Sequence, residues 1–88
     1  MAQLTPVQTT FTLVSNDSSY RTEGACNVQF VNRGTLNVTL NKLLVIVPGA
    51  SVNLGPGGNY ADFTSYQIQF ALGEGRKELV IITSHPIS

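Results

Sequence analysis

Residues 26–54, CNVQFVNRGTLNVTLNKLLVIVPGASVNL, decide how this chain folds. They divide into four short runs, 26–32, 35–40, 43–47 and 51–54. The breaks are Arg33-Gly34, Asn41-Lys42 and Pro48-Gly49-Ala50. Each break contains Gly, Pro or Asn, the residues that supply turn dihedrals. In the first run Cys26, Val28 and Phe30 point one way, while Asn27, Gln29 and Val31 point the other. In the second, Leu36, Val38 and Leu40 oppose Thr35, Asn37 and Thr39. A period of two broken by turns predicts strands, which are expected to follow one another as an antiparallel meander. The run 43–47 is apolar at every position, so it predicts a strand covered on both faces. Pro48 ends it, having no N–H to give the ladder. Asn41-Lys42 predicts a two-residue hairpin connection, because Asn tolerates positive φ.

The pattern extends outward from this centre. Residues 1–6 read as an extended lead-in, and Val7–Val14 alternates, with Val7, Thr9, Phe11 and Leu13 opposite Gln8, Thr10, Thr12 and Val14. Residues 15–25, SNDSSYRTEGA, show no hydrophobic period and predict a polar loop. After a wide turn at 55–59, residues 60–65 predict a short strand or a loop anchored by Tyr60 and Phe63. Residues 66–72 alternate again, 73–77 turn the chain, 78–84 form a last strand, and 85–88 are a tail. No segment of helical length has a 3.6-residue period. The expected architecture is all-β in a single domain, 1–88. Seven or eight short strands form an antiparallel β-sandwich, immunoglobulin-like or jelly-roll-like, with a partly closed barrel as the alternative. Phe11, Phe30, Tyr66 and Phe70 share a phase with aliphatic residues and are expected in the core. Tyr20 stands apart in the polar loop.

Composition limits the chemistry. A chain of 88 residues is one domain, and with one cysteine it has no intrachain disulfide. Cys26 reads as a small buried hydrophobe. A formal net charge of zero argues against a nucleic-acid footprint or a basic membrane patch. The opening MAQLTPVQTT has no positive segment followed by an apolar run, so no signal peptide is expected. The run 43–47 is far too short to span a bilayer. One His, one Cys and two Asp predict no metal site. His85, the only imidazole, has no Ser and acid at a triad's spacing. Asp17, Glu23, Asp62, Glu74 and Glu78 lie in or beside turns, with no cleft for a glycosidase pair. GPGG at 55–58 and GEGRK at 73–77 lack the helix that a phosphate loop opens. No catalytic, cofactor or metal residues are expected, and no enzyme.

Charged residues make up 11% of the chain, against about 25% in a typical soluble domain. None falls in the interior of an expected strand. Free sandwiches guard their edge strands with charges. Here the outward positions carry Thr, Asn and Gln, which cost less to desolvate than charges and suit an interface core. At least one sheet face or edge is therefore expected to be covered by other subunits. The candidate contacts are Thr35, Asn37, Thr39, Gln67 and Gln69, with Tyr20 and Arg21 of the loop 15–25 as a second surface. The alternative is an adhesion module that binds a glycan or protein through loops 15–25 and 55–59.

Asn32-Arg33-Gly34-Thr35, Asn37-Val38-Thr39-Leu40 and Pro48-Gly49-Ala50-Ser51 together resemble the N-x-G-T turn, strand and P-G-x-S turn of immunoglobulin-like sandwich domains. The whole chain, short, Cys-poor and rich in Thr, Asn and Gln, resembles small virion proteins of tailed bacteriophages of the capsid-decoration, head or tail accessory type. That resemblance transfers no functional residues. It implies a non-enzymatic, homo-oligomeric structural role on a virion, with this chain itself or a major shell protein as partner. No nucleic acid, membrane or cofactor is implied, and the alternative location is the cytoplasm.

Overall fold

The structure, a computed structural model, describes residues 6–55 and 60–87. Among the described residues there are eight strands: β1 (Val7–Val14), β2 (Ser18–Arg21), β3 (Asn27–Asn32), β4 (Val38–Leu40), β5 (Leu44–Ile46), β6 (Ser51–Asn53), β7 (Ser65–Phe70) and β8 (Leu79–Pro86). They form two four-stranded sheets, ordered β1-β8-β3-β6 and β2-β7-β4-β5. All the ladders are antiparallel. The pairs β1·β8, β2·β7, β3·β6 and β4·β5 are nested, as if one long hairpin had been wrapped into a sandwich. This is the jelly-roll arrangement, and it decides between the two sandwich topologies that the sequence leaves open.

The core lies between the sheets. Val28, Phe30, Leu79 and Ile81 from one side meet Val38, Leu40, Ile46, Tyr66, Ile68 and Phe70 from the other. The Phe30 and Tyr66 rings pack edge to face with centroids 5.0 Å apart, a favoured aromatic geometry. These residues follow the expected period of two.

The expected central meander does not form. Of the strands in that stretch, only β4 and β5 are neighbours in both sequence and sheet. Elsewhere the chain crosses between sheets. The crossing after β3 is built by Asn32, which is fully buried. Its Nδ2 donates to Leu36 O and Ile46 O, both at 2.8 Å, and its Oδ1 accepts from Gly34 N at 3.0 Å. These bonds tie the end of β3 to the opposite sheet. Gly34 is needed there because a Cβ would sit 2.2 Å from Arg76 O.

Other expectations are corrected. The run 43–47 is not covered on both faces: Ile46 is 3% exposed but Val45 is 53% exposed, because β5 is an edge strand with one bare face. Phe11 is 69% exposed and lies outside the core. β2 forms inside the expected polar loop, where Tyr20 pairs across to Tyr66. Its only apolar side chain has Ser and Arg neighbours, so it shows no period. His85 and Pro86 belong to β8, paired with Gln8 and Val7, and are not a tail. Residues 60–65 form no strand before Ser65; a single bridge joins Asp62 to Ala25. Cys26 is only half-buried, with its Sγ 3.3 Å from Ser84 O. The expected lead-in at 1–5 and most of the turn at 55–59 lie outside the described residues.

Candidate functional site

The outer face of the β2 sheet brings together three of the seven sequence-selected residues, Thr39, Gln67 and Gln69. Gln67 and Gln69 project outward from β7, whose alternate residues Tyr66, Ile68 and Phe70 are buried. Thr39 lies opposite both Gln69 and Val45, so these three form one cross-strand row. Gln67 is opposite Ser19 on β2. A shallow depression of about 480 Å3 crosses this face, lined in part by Asp17, Ser19, Lys42, Gln67 and Gln69. One of its residues and one beside it also shape the sheet. Asp17 Oδ1 accepts from Phe70 N at 2.9 Å, and Asn41, adjoining Lys42, accepts from Gln67 N at 2.7 Å.

The remaining candidates do not join that row. Thr35 lies in the crossing after β3, where its Oγ1 accepts from Arg76 N at 2.7 Å. It fastens two loops together. Asn37 is exposed just before β4, and its carbonyl accepts from Ala71 N at 2.9 Å. Tyr20 is half-buried, packs against the core, and donates to Thr83 Oγ1 at 3.4 Å. Arg21 is exposed at one end of the sandwich, in an open depression of about 350 Å3 with Glu23, Phe63, Thr64 and Ser65.

That end is polar and tightly hydrogen bonded. Thr22 is buried; its Oγ1 donates to Asp62 O at 2.7 Å and accepts from Thr64 N at 2.8 Å. Asp62 Oδ1 accepts from Thr64 Oγ1 at 2.5 Å. Its Oδ2 is buried and has no partner among the described residues. His85 Nε2 donates to Thr22 O at 3.0 Å. Burial pushes the Tyr66 phenol above its ordinary range, and the Asp62 charge adds to the shift. Among the described residues no three His, Cys, Asp or Glu side chains gather to hold a metal ion.

The surface that sequence reasoning missed is the outer face of the β1 sheet. Register and burial set its direction. Leu79, Ile81 and Thr83 of β8 are buried, so Val80, Ile82 and Ser84 face outward. Opposite them stand Leu13, Phe11 and Thr9 of β1. Val31 of β3 faces outward beside Val80, and Gln29 beside Ile82. Ser51 and Asn53 of β6 complete the face. Leu13, Val80 and Val31 thus form one apolar row, continued by Phe11 and Ile82 in the next. Phe11 is 69% and Leu13 62% exposed. No ionisable side chain lies among these outward residues. The alternation in Val7–Val14 was readable, but an alternating strand presents the same pattern whichever face it buries.

Compared with protein-family models, with characterised proteins and with solved structures, the chain matches none.

Proposed function

We propose that this chain is a non-enzymatic structural protein that assembles through an uncharged sheet surface, with copies of itself or a shell protein, as a component of a larger particle such as a virion. One observation carries the reading: the outer face of the β1 sheet exposes Phe11 and Leu13 beside Val80, Ile82 and Val31, with no ionisable side chain among them. Contiguous exposed apolar surface on a small protein marks a contact surface, and depletion of charge is the compositional mark of an interface core. The outer face of the β2 sheet also turns Thr39, Gln67, Gln69 and Val45 outward, but it carries Asp17 and Lys42 and so is not free of charge. Jelly rolls build capsid shells, lectins and cupins alike, so the reading rests on the surface and not on the fold. The depression beside Arg21 and Phe63 favours a second reading, a loop-based binding module.

Light scattering after size exclusion, over a range of concentrations, tests the assembly reading. The chain is expected to run above its monomer mass, and the exposed-site variant Phe11→Lys/Leu13→Lys to fold and run as a monomer. A wild-type chain that stays monomeric at millimolar concentration, alone and mixed with candidate shell proteins, would overturn it.

A further inference from the structure

The jelly roll has four sheet edges, and they are not alike. β6 and β5 are three residues long, and β2 is four residues long and carries Arg21. β5 is also bounded by the Asn41-Lys42 turn and Pro48. Short strands, charges and prolines are the ordinary protections of an edge. β1 has none of them along its length, and only Pro6 stands at its start. It is eight residues, VQTTFTLV, without charge, Pro or Gly. It pairs with β8 without a bulge, from Val7↔Pro86 to Val14↔Leu79. Only Thr12 and Val14 are even half-buried; the other positions are exposed, on both faces of the strand. Alternate N–H and C=O groups of β1 must point away from β8, along the free edge. Among the described residues no strand pairs with that edge.

We infer that β1 pairs edge to edge with β1 of a second copy, antiparallel about a two-fold axis, making a continuous eight-stranded sheet. The inference rests on the assembly reading above and names its partner and its contact. A two-fold pairing uses the same strand twice. Residues directly opposite share a face, so Val7, Thr9, Phe11 and Leu13 of one copy meet members of the same set in the other. An axis at Thr10 sets Val7 opposite Leu13 and Thr9 opposite Phe11, while Gln8 and Thr12 pair on the other face. A second copy brings no charge to this seam, so no like charges meet. The ladder would add about eight main-chain hydrogen bonds. The strand is about 27 Å long, and the edge it presents is on the order of 400 Å2 per copy. That falls short of the roughly 800 Å2 per partner of a standard stable interface, so the pair is reversible and responds to concentration. The exposed apolar face is doubled in width and remains open for further packing.

Amide hydrogen exchange of the wild-type chain, followed by NMR across a concentration series alongside the solution mass, tests this. As mass rises toward the dimer, the β1 amides that point away from β8 should slow by about tenfold or more once concentration exceeds ten times the dissociation constant. Two variants locate the contact. Thr9→Lys, on the edge, should weaken the dimer at least about tenfold, because a strand-edge lysine opposes pairing. Gln29→Lys, on β3 in the middle of the same face and about 10 Å from the edge, should leave it intact. A dimer whose β1 amides stay unprotected, or which Gln29→Lys disrupts as strongly as Thr9→Lys, would overturn edge pairing while leaving assembly standing. A monomer at every concentration would overturn the edge pairing, and the assembly reading too unless a shell protein binds.

Discussion

The carboxamide of Asn32 sits where three segments meet: the end of β3, the crossing to β4, and the end of β5. It makes three hydrogen bonds in a fully buried site. Truncation to alanine would strand Ile46 O and Gly34 N away from water and leave the partly buried Leu36 O without its donor. Each lost partner of a buried group costs about 1–3 kcal/mol. Asn32→Ala should therefore destabilise the fold by about 3–4 kcal/mol, measured by urea unfolding. Asn32→Asp should do no better, since it sets an oxygen against two carbonyls. A loss below about 1 kcal/mol for either would show that the crossing holds without this amide. In the sequence, Asn32-Arg33-Gly34-Thr35 is readable as a turn from its residue types alone. That the amide reaches Ile46 is not readable, because this contact exists only once the sheets have faced each other. Thr35 shows the same limit. Its alternation with Leu36 suggests a strand position, yet it is held in a loop by Arg76.

The turn residues of the β4 and β5 hairpin were legible, but its length was not: the expected two-residue connection is three residues long, 41–43, with Leu40 opposite Leu44 and Leu43 outside the strand. Asn41 and Lys42 have φ values of 51° and 60°, and Leu43 N donates to Leu40 O at 3.0 Å. Two consecutive left-handed residues suit the right-handed twist of a hairpin. Asn accepts that conformation readily; Lys pays a steric penalty of about 1–2 kcal/mol. Glycine would remove the penalty but lose about 0.5–1 kcal/mol of backbone entropy. Lys42→Gly should thus stabilise by roughly 0.5 kcal/mol, raising the denaturation midpoint. A lowered midpoint would mean that the Lys42 side chain makes a contact worth more than its strain. β1 shows what periodicity cannot supply. Its alternation divides Val7–Val14 correctly into two sets, but the apolar set Val7, Thr9, Phe11 and Leu13 faces outward. The choice is made by β8, whose Leu79, Ile81 and Thr83 face the core and impose their phase through the register. β2 was hidden for a different reason: Ser18–Arg21 is held mainly by its ladder to β7, with one apolar anchor, Tyr20.

Nested pairing sets how the whole molecule can form. β4 and β5 meet across a turn of a few residues, whereas β1 and β8 meet only after the chain between Val14 and Leu79 has been closed. Closing that loop of about sixty residues costs roughly 3 kcal/mol more in chain entropy than closing the hairpin. The cheapest order is therefore from the inside outward: β4·β5, then β3·β6 and β2·β7, and β1·β8 last. With most pairings distant in sequence, folding should be slow, on the millisecond to second scale. Two buried positions separate the early and late ends of this order. Val38 on β4 and Ile81 on β8 are both fully buried. Val38→Ala should slow folding, with most of its lost stability appearing in the folding rate. Ile81→Val, costing about 1 kcal/mol, should act chiefly by speeding unfolding, with a φ-value near zero. Stopped-flow kinetics at low concentration, with Phe11→Lys/Leu13→Lys in the background to suppress association, measures both. If Ile81→Val slowed folding as strongly as Val38→Ala, the outer pair would already be joined in the transition state. The chain would then be closing its longest loop first, and the inside-out order would be wrong.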